Sequence, residues 1–374
     1  MTNTDQVWDV VIVGAGPAGV GTAYALTHFG NPRVTVLERH EVGASFARWP
    51  EEMRFITPSF NSNQFGWLDM NSFGLRISPA QHLGKGHPSG QEYARFLQAF
   101  TKFLELPVQE GVDVRSVRRQ DDGFVLDTSS GEVRAKFVVW AGGEFQYPRT
   151  NGFPGADLCL HNSRVGSWRN LEGDDFVVIG GYESGIDAAD HLTVNRKKVT
   201  VLDGKAIWQV ADEDPSVSLS PFTRDRLRGA LDRGRLELGG PARVTSVERH
   251  RRQFVGTTDD GRSLHTPQAP ILATGFVSSL TLIEDLFDWH EGKARLTDND
   301  ESTRTPGLFL VGPQVWHDQV IFCFIYKFRQ RFGVVAHTIA ERLGIDTSEV
   351  ADVYRSKGMF LDDLSCCKEA CETC

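Results

Sequence analysis

Residues 10–19, VVIVGAGPAG, constrain this chain more than any other stretch. Four β-branched residues run straight into G-x-G-x-x-G at Gly14, Gly16 and Gly19. Such a run predicts a strand buried on both faces, as in a parallel sheet. Residues 20–29 carry a helical pattern, and 33–37 read as a second strand that ends in Glu38. The three glycines serve different ends. Gly14 makes the sharp turn, Gly16 lets backbone approach a pyrophosphate, and Gly19 lets helix pack close on strand. The helix start, with Pro17 and Ala18, turns free N–H groups toward phosphate. Glu38 stands 19 residues past Gly19, where an acid can bond a ribose diol, and Arg39 follows it. Strand, glycines, helix, strand and acid in this order predict a bound dinucleotide.

The pattern returns at 175–203. DFVVI at 175–179 reads as a strand, Gly180-Gly181-Tyr182-Glu183-Ser184-Gly185 as the turn, 186–194 as the helix and 198–202 as the next strand, closed by Asp203. Tyr182 takes the middle glycine's place, which alters the approach of backbone to phosphate. A nicotinamide dinucleotide is expected here. Asp203 favours the free 2′-hydroxyl of NAD, while Arg196, Lys197, Lys198 and Lys205 are candidates for the 2′-phosphate of NADP. The sequence leaves NADH and NADPH both open.

Residues 39–90 show little periodicity but many aromatics, among them Phe46, Trp49, Phe55, Phe60, Phe65, Trp67 and Phe73. So long an irregular segment is expected to line a cavity. A capping box at 89–92 opens a helix over 91–104. Strands are expected at 112–117, 123–128 and 133–140, the last running into Ala141-Gly142-Gly143. Similar strand-to-glycine turns end at Gly275 and Gly312, and a long helix is expected over 318–343, broken near Tyr326 and stopped by Gly344. The arginines of 215–252 are interleaved with acids and read as a solvated face, followed by a meander at 243–257.

At 374 residues the chain is long enough for two α/β domains. A formal charge of −9 and a pI near 5.7 argue against nonspecific nucleic-acid binding. Residues 1–9 lack the basic and apolar regions of a secretory signal, and no apolar run approaches the roughly 18–20 residues of a membrane span. The expected setting is cytoplasmic, with no membrane partner.

Together these motifs resemble the two-dinucleotide-binding-domain flavoproteins, which include thioredoxin-reductase-like pyridine nucleotide-disulfide oxidoreductases and flavin-containing monooxygenases. The resemblance covers about residues 7–345. It implies an α/β fold of two Rossmann-like, three-layer nucleotide-binding domains, the second inserted in the first. The FAD-binding domain would span 1–165 and 266–345, the NAD(P)H-binding domain 166–265, and a cysteine-rich tail 346–374. By the same resemblance Gly14, Gly16, Pro17, Ala18, Gly19, Glu38, Arg39, Gly142, Gly275 and Gly312 belong to the FAD site. Gly180, Gly181, Tyr182, Glu183, Ser184, Gly185 and Asp203 belong to that of NADPH or NADH. The final helix would aim its positive end at the flavin. A homodimer is compatible with this reading.

What accepts the electrons is decided by thiols. Disulfide reductases of this type carry a C-x-x-C soon after the second fingerprint or a C-x-x-x-x-C after the first helix, and neither stands in those places; the C-x-x-C of this chain is at its terminus, Cys371 to Cys374. The bacillithiol-disulfide reductase kind has a cysteine in its first glycine motif, where this chain has Ala18. Residues 153–163, FPGADLCLHNS, resemble the F-x-G-x-x-x-H signature of the monooxygenases, with His161 two places late. His161 reads either as part of that chemistry or as a structural histidine at a domain junction. The implied function is an FAD-dependent NAD(P)H oxidoreductase of flavin monooxygenase type, oxygenating a small soft nucleophile at N or S.

The tail keeps alternatives open. Cys366, Cys367, Cys371 and Cys374 fall within the last nine residues, and the other 365 hold two cysteines. They are candidate catalytic thiols for a redox relay to a disulfide or a thiophilic metal(loid) species. Cys371-x-x-Cys374 also has zinc spacing, although no metal ligand set is assigned. A metal-binding nucleotide sensor with little turnover is the third reading.

Overall fold

The computed structural model describes residues 7–62 and 67–367. Phe65, Cys371 and Cys374, singled out above, lie outside the described residues, as does the side chain of Cys366.

The β-branched strand Val7–Val13 pairs in parallel with Val34–Glu38 on one side and Gly131–Trp140 on the other. Val10, Val11 and Ile12 have no solvent exposure, as a strand covered on both faces requires. Val108–Glu110 extends the parallel edge. On the far side Gly123–Thr128 and Val114–Gln120 add antiparallel strands, and Leu308–Leu310 returns to pair with the end of Gly131–Trp140. The helices Pro17–His28 and Phe332–Arg342 pack together so closely that a Cβ on Gly21 would lie 2.2 Å from the Phe332 ring.

A second, five-stranded sheet runs in the order Leu236–Leu238, Lys198–Leu202, Asp175–Ile179, Ile271–Leu272 and Leu160–His161, all parallel. The helices Glu183–Val194 and Pro221–Asp232 accompany it. The meander of Val244–His250, Gln253–Thr258 and Ser263–Thr266 is antiparallel. The two nucleotide-binding folds expected from the fingerprints are therefore present.

Two expectations need correction. The helix foreseen from residue 318 begins only at Ile325; before it lies a hairpin of Trp316–His317 and Val320–Ile321. The β-branched pair Val320-Ile321 prefers the extended form there, and Phe322 behind it is buried in the core. A further helix, Ser348–Ser356, stands in the segment assigned to the tail, where no helix was expected, burying Ala351 and Tyr354.

One buried ion network welds these C-terminal pieces. Arg331, with no exposure, donates from Nε to Asp300 Oδ2 at 2.9 Å and from Nη2 to Oδ1 at 3.0 Å. It also donates to the carbonyls of Leu361 and Asp298, and His317 Nε2 meets Asp300 Oδ1 at 2.5 Å.

Candidate functional site

The two glycine turns are near replicas. Gly14 has φ +101° and Gly180 φ +106°, left-handed values that a side chain resists. A Cβ on Gly19 would lie 1.9 Å from the Gly14 carbonyl oxygen, and one on Gly185 the same distance from that of Gly180. The middle positions match too: Gly16 at φ −76°, ψ −176° and Tyr182 at φ −81°, ψ −165° are both extended, so tyrosine costs no backbone strain. A Cβ on Gly16 meets nothing within 4 Å. By the same geometry the Tyr182 side chain projects into the corresponding space, where its hydroxyl donates to the Pro215 carbonyl.

The acids are held alike. Glu38 Oε2 accepts from Ala15 N at 2.8 Å and Oε1 from His40 N at 2.8 Å. Asp203 Oδ2 accepts from Gly181 N at 3.0 Å and Oδ1 from Lys205 N at 2.9 Å. In both cases the partners are the second residue of the glycine turn and the residue two beyond the acid.

A cavity of about 560 Å³ joins the two turns. Gly14, Gly16, Pro17, Ala18 and Glu38 line one end, Tyr182, Glu183, Ser184 and Asp187 the other. Phe46, Trp49 and Phe55 from the irregular segment form part of its wall, as expected; Phe46 and Phe55 stack with centroids 5.3 Å apart. Gly142 lines it as well, and Gly312 at φ +101° abuts Ala18. Arg39 lies over the Tyr147 ring at 5.5 Å. Gly275 is reached through its carbonyl, which accepts from Arg149 N at 3.0 Å.

His161 has no exposure. Its Nδ1 lies 2.8 Å from Ser163 Oγ and its Nε2 3.0 Å from the Gly275 oxygen. Burial lowers its pKa, opposed by the bond to Gly275. Cys367 is buried at the root of the tail, where its carbonyl accepts from Gln319 N at 3.2 Å.

A model of the pyridine nucleotide-disulphide oxidoreductase family matches residues 11–312. The chain belongs to that family. Its members are oxidoreductases that use FAD and pyridine nucleotides. It is 27% identical over 207 residues to the uncharacterized oxidoreductase CzcO of Bacillus subtilis, a match spanning 54% of this chain and 56% of that relative, so only about half of the relative's length is covered. The bacillithiol disulfide reductase Bdr (YpdA) of Staphylococcus aureus superposes with a TM-score of 0.73 at 19% identity, over 90% of this chain and 99% of that one. A flavin-containing monooxygenase from Stenotrophomonas maltophilia gives 0.69 at 18%, again over 90% and 99%. These likenesses share a fold. No helix among the described residues is long and apolar enough to cross a membrane.

FAD fits the first turn of this oxidoreductase. The space beside Gly16 is open, no side chain caps the helix Pro17–His28, and the cavity continues from there between aromatic walls. The second turn fits a dinucleotide in its backbone and its acid, with Tyr182 standing at the entrance.

Sequence reasoning missed several residues in and around this cavity, because their signals are not local. Glu144 lines it and accepts from Gln314 Nε2; burial pushes its carboxyl upward, opposed by Arg149. Cys323 lines it too, with Ser216 Oγ 3.1 Å away. Lys327 donates to Asp214 at 2.8 and 2.9 Å and to Ser216 at 2.9 Å, tying the segment beyond the second turn to the helix that begins at Ile325. Glu52 accepts from Ser167 Oγ at 2.6 Å and Trp168 N at 3.0 Å, clamping the chain just before the second fingerprint.

Proposed function

We propose that the chain oxidises NAD(P)H through FAD and uses the electrons to oxygenate a small soft nucleophile at N or S. The observation that carries this reading is the single cavity lined by both glycine turns, which lets two nucleotides meet ring to ring. When bound, FAD supplies two-electron transfer from nicotinamide and onward reaction with an acceptor.

The chain's own part is binding, orientation and water exclusion. The Gly14–Gly19 turn and the uncapped helix start hold phosphate, and Glu38 holds ribose. Phe46, Trp49 and Phe55 shut water from the wall. Glu144 lines the cavity with its carboxyl pushed upward by burial and accepts from Gln314 there. His161, with both ring nitrogens engaged, positions the Gly275 turn. Within the described residues the cavity wall contains one thiol, Cys323, which by itself closes no disulfide. Burial, and then Asp157, push the Cys159 thiol up to about 12, which disfavours its thiolate.

A second reading is favoured by the tail's docking. Cys367 is bonded to Gln319, in the hairpin region that leads through Ile321 to Cys323 on the cavity wall. That would suit a relay of electrons outward to a disulfide or a thiophilic metal(loid).

Purified protein is expected to be yellow, and anaerobic NADH or NADPH is expected to bleach it. With labelled dioxygen and amine or thioether substrates, coupled turnover should place label in the product. Cys371→Ser with Cys374→Ser should leave that product yield within roughly twofold. Bleaching retained with turnover lost in this double variant would move the assignment to the relay, and a protein without flavin would end both readings.

A further inference from the structure

The second site's acid reads the coenzyme, and its geometry bears on which one. We propose that Asp203 selects a free 2′,3′-diol, so that the chain takes NADH in preference to NADPH. This rests on the reading above that the turn at 180–185 holds a nicotinamide dinucleotide.

Three observations carry the inference. First, Asp203 repeats the hydrogen bonding of Glu38: one oxygen on the second amide of the turn, the other on the amide two residues on. Ile207 N adds a third bond to Asp203 Oδ1 at 3.3 Å. The adenosine ribose of FAD carries a diol without phosphate, so an acid held in this way at the first site faces a diol. The same arrangement at the second site calls for the same sugar. A 2′-phosphate there would bring its negative charge against a carboxylate fixed by three amides.

Second, three of the four basic residues that made NADPH an open choice lie at the wrong end of the sheet. Lys198 begins the strand Lys198–Leu202, and Asp203 follows its other end. Five residues of extended chain separate them by roughly 16 Å. Arg196 and Lys197 precede Lys198, and Lys197 Nζ is 3.3 Å from Asp174 Oδ1 at that same far edge. None of the three reaches the ribose position.

Third, the residue after the acid is Arg39 at the first site and Gly204 at the second. Gly204 itself therefore offers no guanidinium to a 2′-phosphate. The cations that remain near this rim are Lys205, which is exposed, and Arg243, whose Nε lies 3.6 Å from where a Cβ on Gly204 would stand. Among the described residues neither side chain forms an ion pair with Asp203; the contact of Lys205 with it is through the backbone N.

Binding tests this without turnover. Isothermal titration calorimetry of the flavin-loaded protein with ADP-ribose and with its 2′-phosphorylated form should show the former tighter by roughly tenfold or more. Equal affinities, tighter binding of the phosphorylated probe, or binding of neither would overturn the proposal. Gly204→Arg keeps the fold within reach, because its Cβ would meet Arg243 at 3.4 Å, an ordinary contact. It should narrow the ratio by raising affinity for the phosphorylated probe; an unchanged ratio would count against the placement. Anaerobic bleaching separates the two levels of argument. Reduction by NADPH more readily than by NADH sinks the preference alone, whereas reduction by neither sinks the function on which it rests.

Discussion

Asp300→Ala is expected to destabilise the protein by about 3–5 kcal/mol, because it strands a buried guanidinium without its counter-charge. Arg331 and Asp300 have no exposure, and the pair ties the loop at 298–300 to the start of the helix Phe332–Arg342 and to Leu361. Urea unfolding followed by circular dichroism measures the effect, and a loss below about 1 kcal/mol, typical of a surface pair, would show the network to be dispensable. The sign of the pH dependence follows. Burial alone would raise the Asp300 pKa, but Arg331 and His317 beside it hold the carboxyl below its ordinary 3.8. A lowered native pKa stabilises the fold above the unfolded value, and that contribution is lost as pH falls below 3.8 through the native one. Asp300→Ala should therefore flatten the acid limb of the stability profile.

Gly16→Val should abolish flavin binding while leaving the fold intact. The backbone at Gly16 is extended, which valine adopts readily, and its Cβ would meet nothing within 4 Å. The open space is where a pyrophosphate must approach, so the isopropyl group blocks the ligand and not the protein. The expected protein is colourless, with a far-ultraviolet spectrum like wild type. Gly19→Val is the control with the opposite logic: its Cβ would collide with the Gly14 carbonyl at 1.9 Å, so the first strand–helix unit itself should fail. A Gly16→Val protein that carries a full complement of flavin would refute the placement of the site.

Much of this was legible in the chain because the fingerprints are local. The strands at 123–128, 175–179 and 198–202 stand where the pattern put them, and the capping box of Ser89 and Glu92 is formed. What escaped was short or distant. The two-residue strand Leu160–His161 is too brief for a period, yet it completes the second sheet beside Ile271–Leu272, the strand expected before Gly275. The hairpin at 316–321 hid inside an apolar run that also suits a helix. Glu144, Glu52 and Lys327 matter through partners 170, 115 and 113 residues away, and no window along the sequence contains both ends.

The irregular segment after Glu38 touches both nucleotide units at once. Glu52 grips Ser167 and Trp168, and the His87 ring stacks on Phe222 with centroids 4.1 Å apart. Neither unit can then be lifted out as an interchangeable cassette: a swap of the second Rossmann unit for one from a relative would leave those grips without anything to hold. Engineering a new coenzyme or acceptor into this scaffold therefore has to proceed by point changes within it, or carry the segment along with the graft.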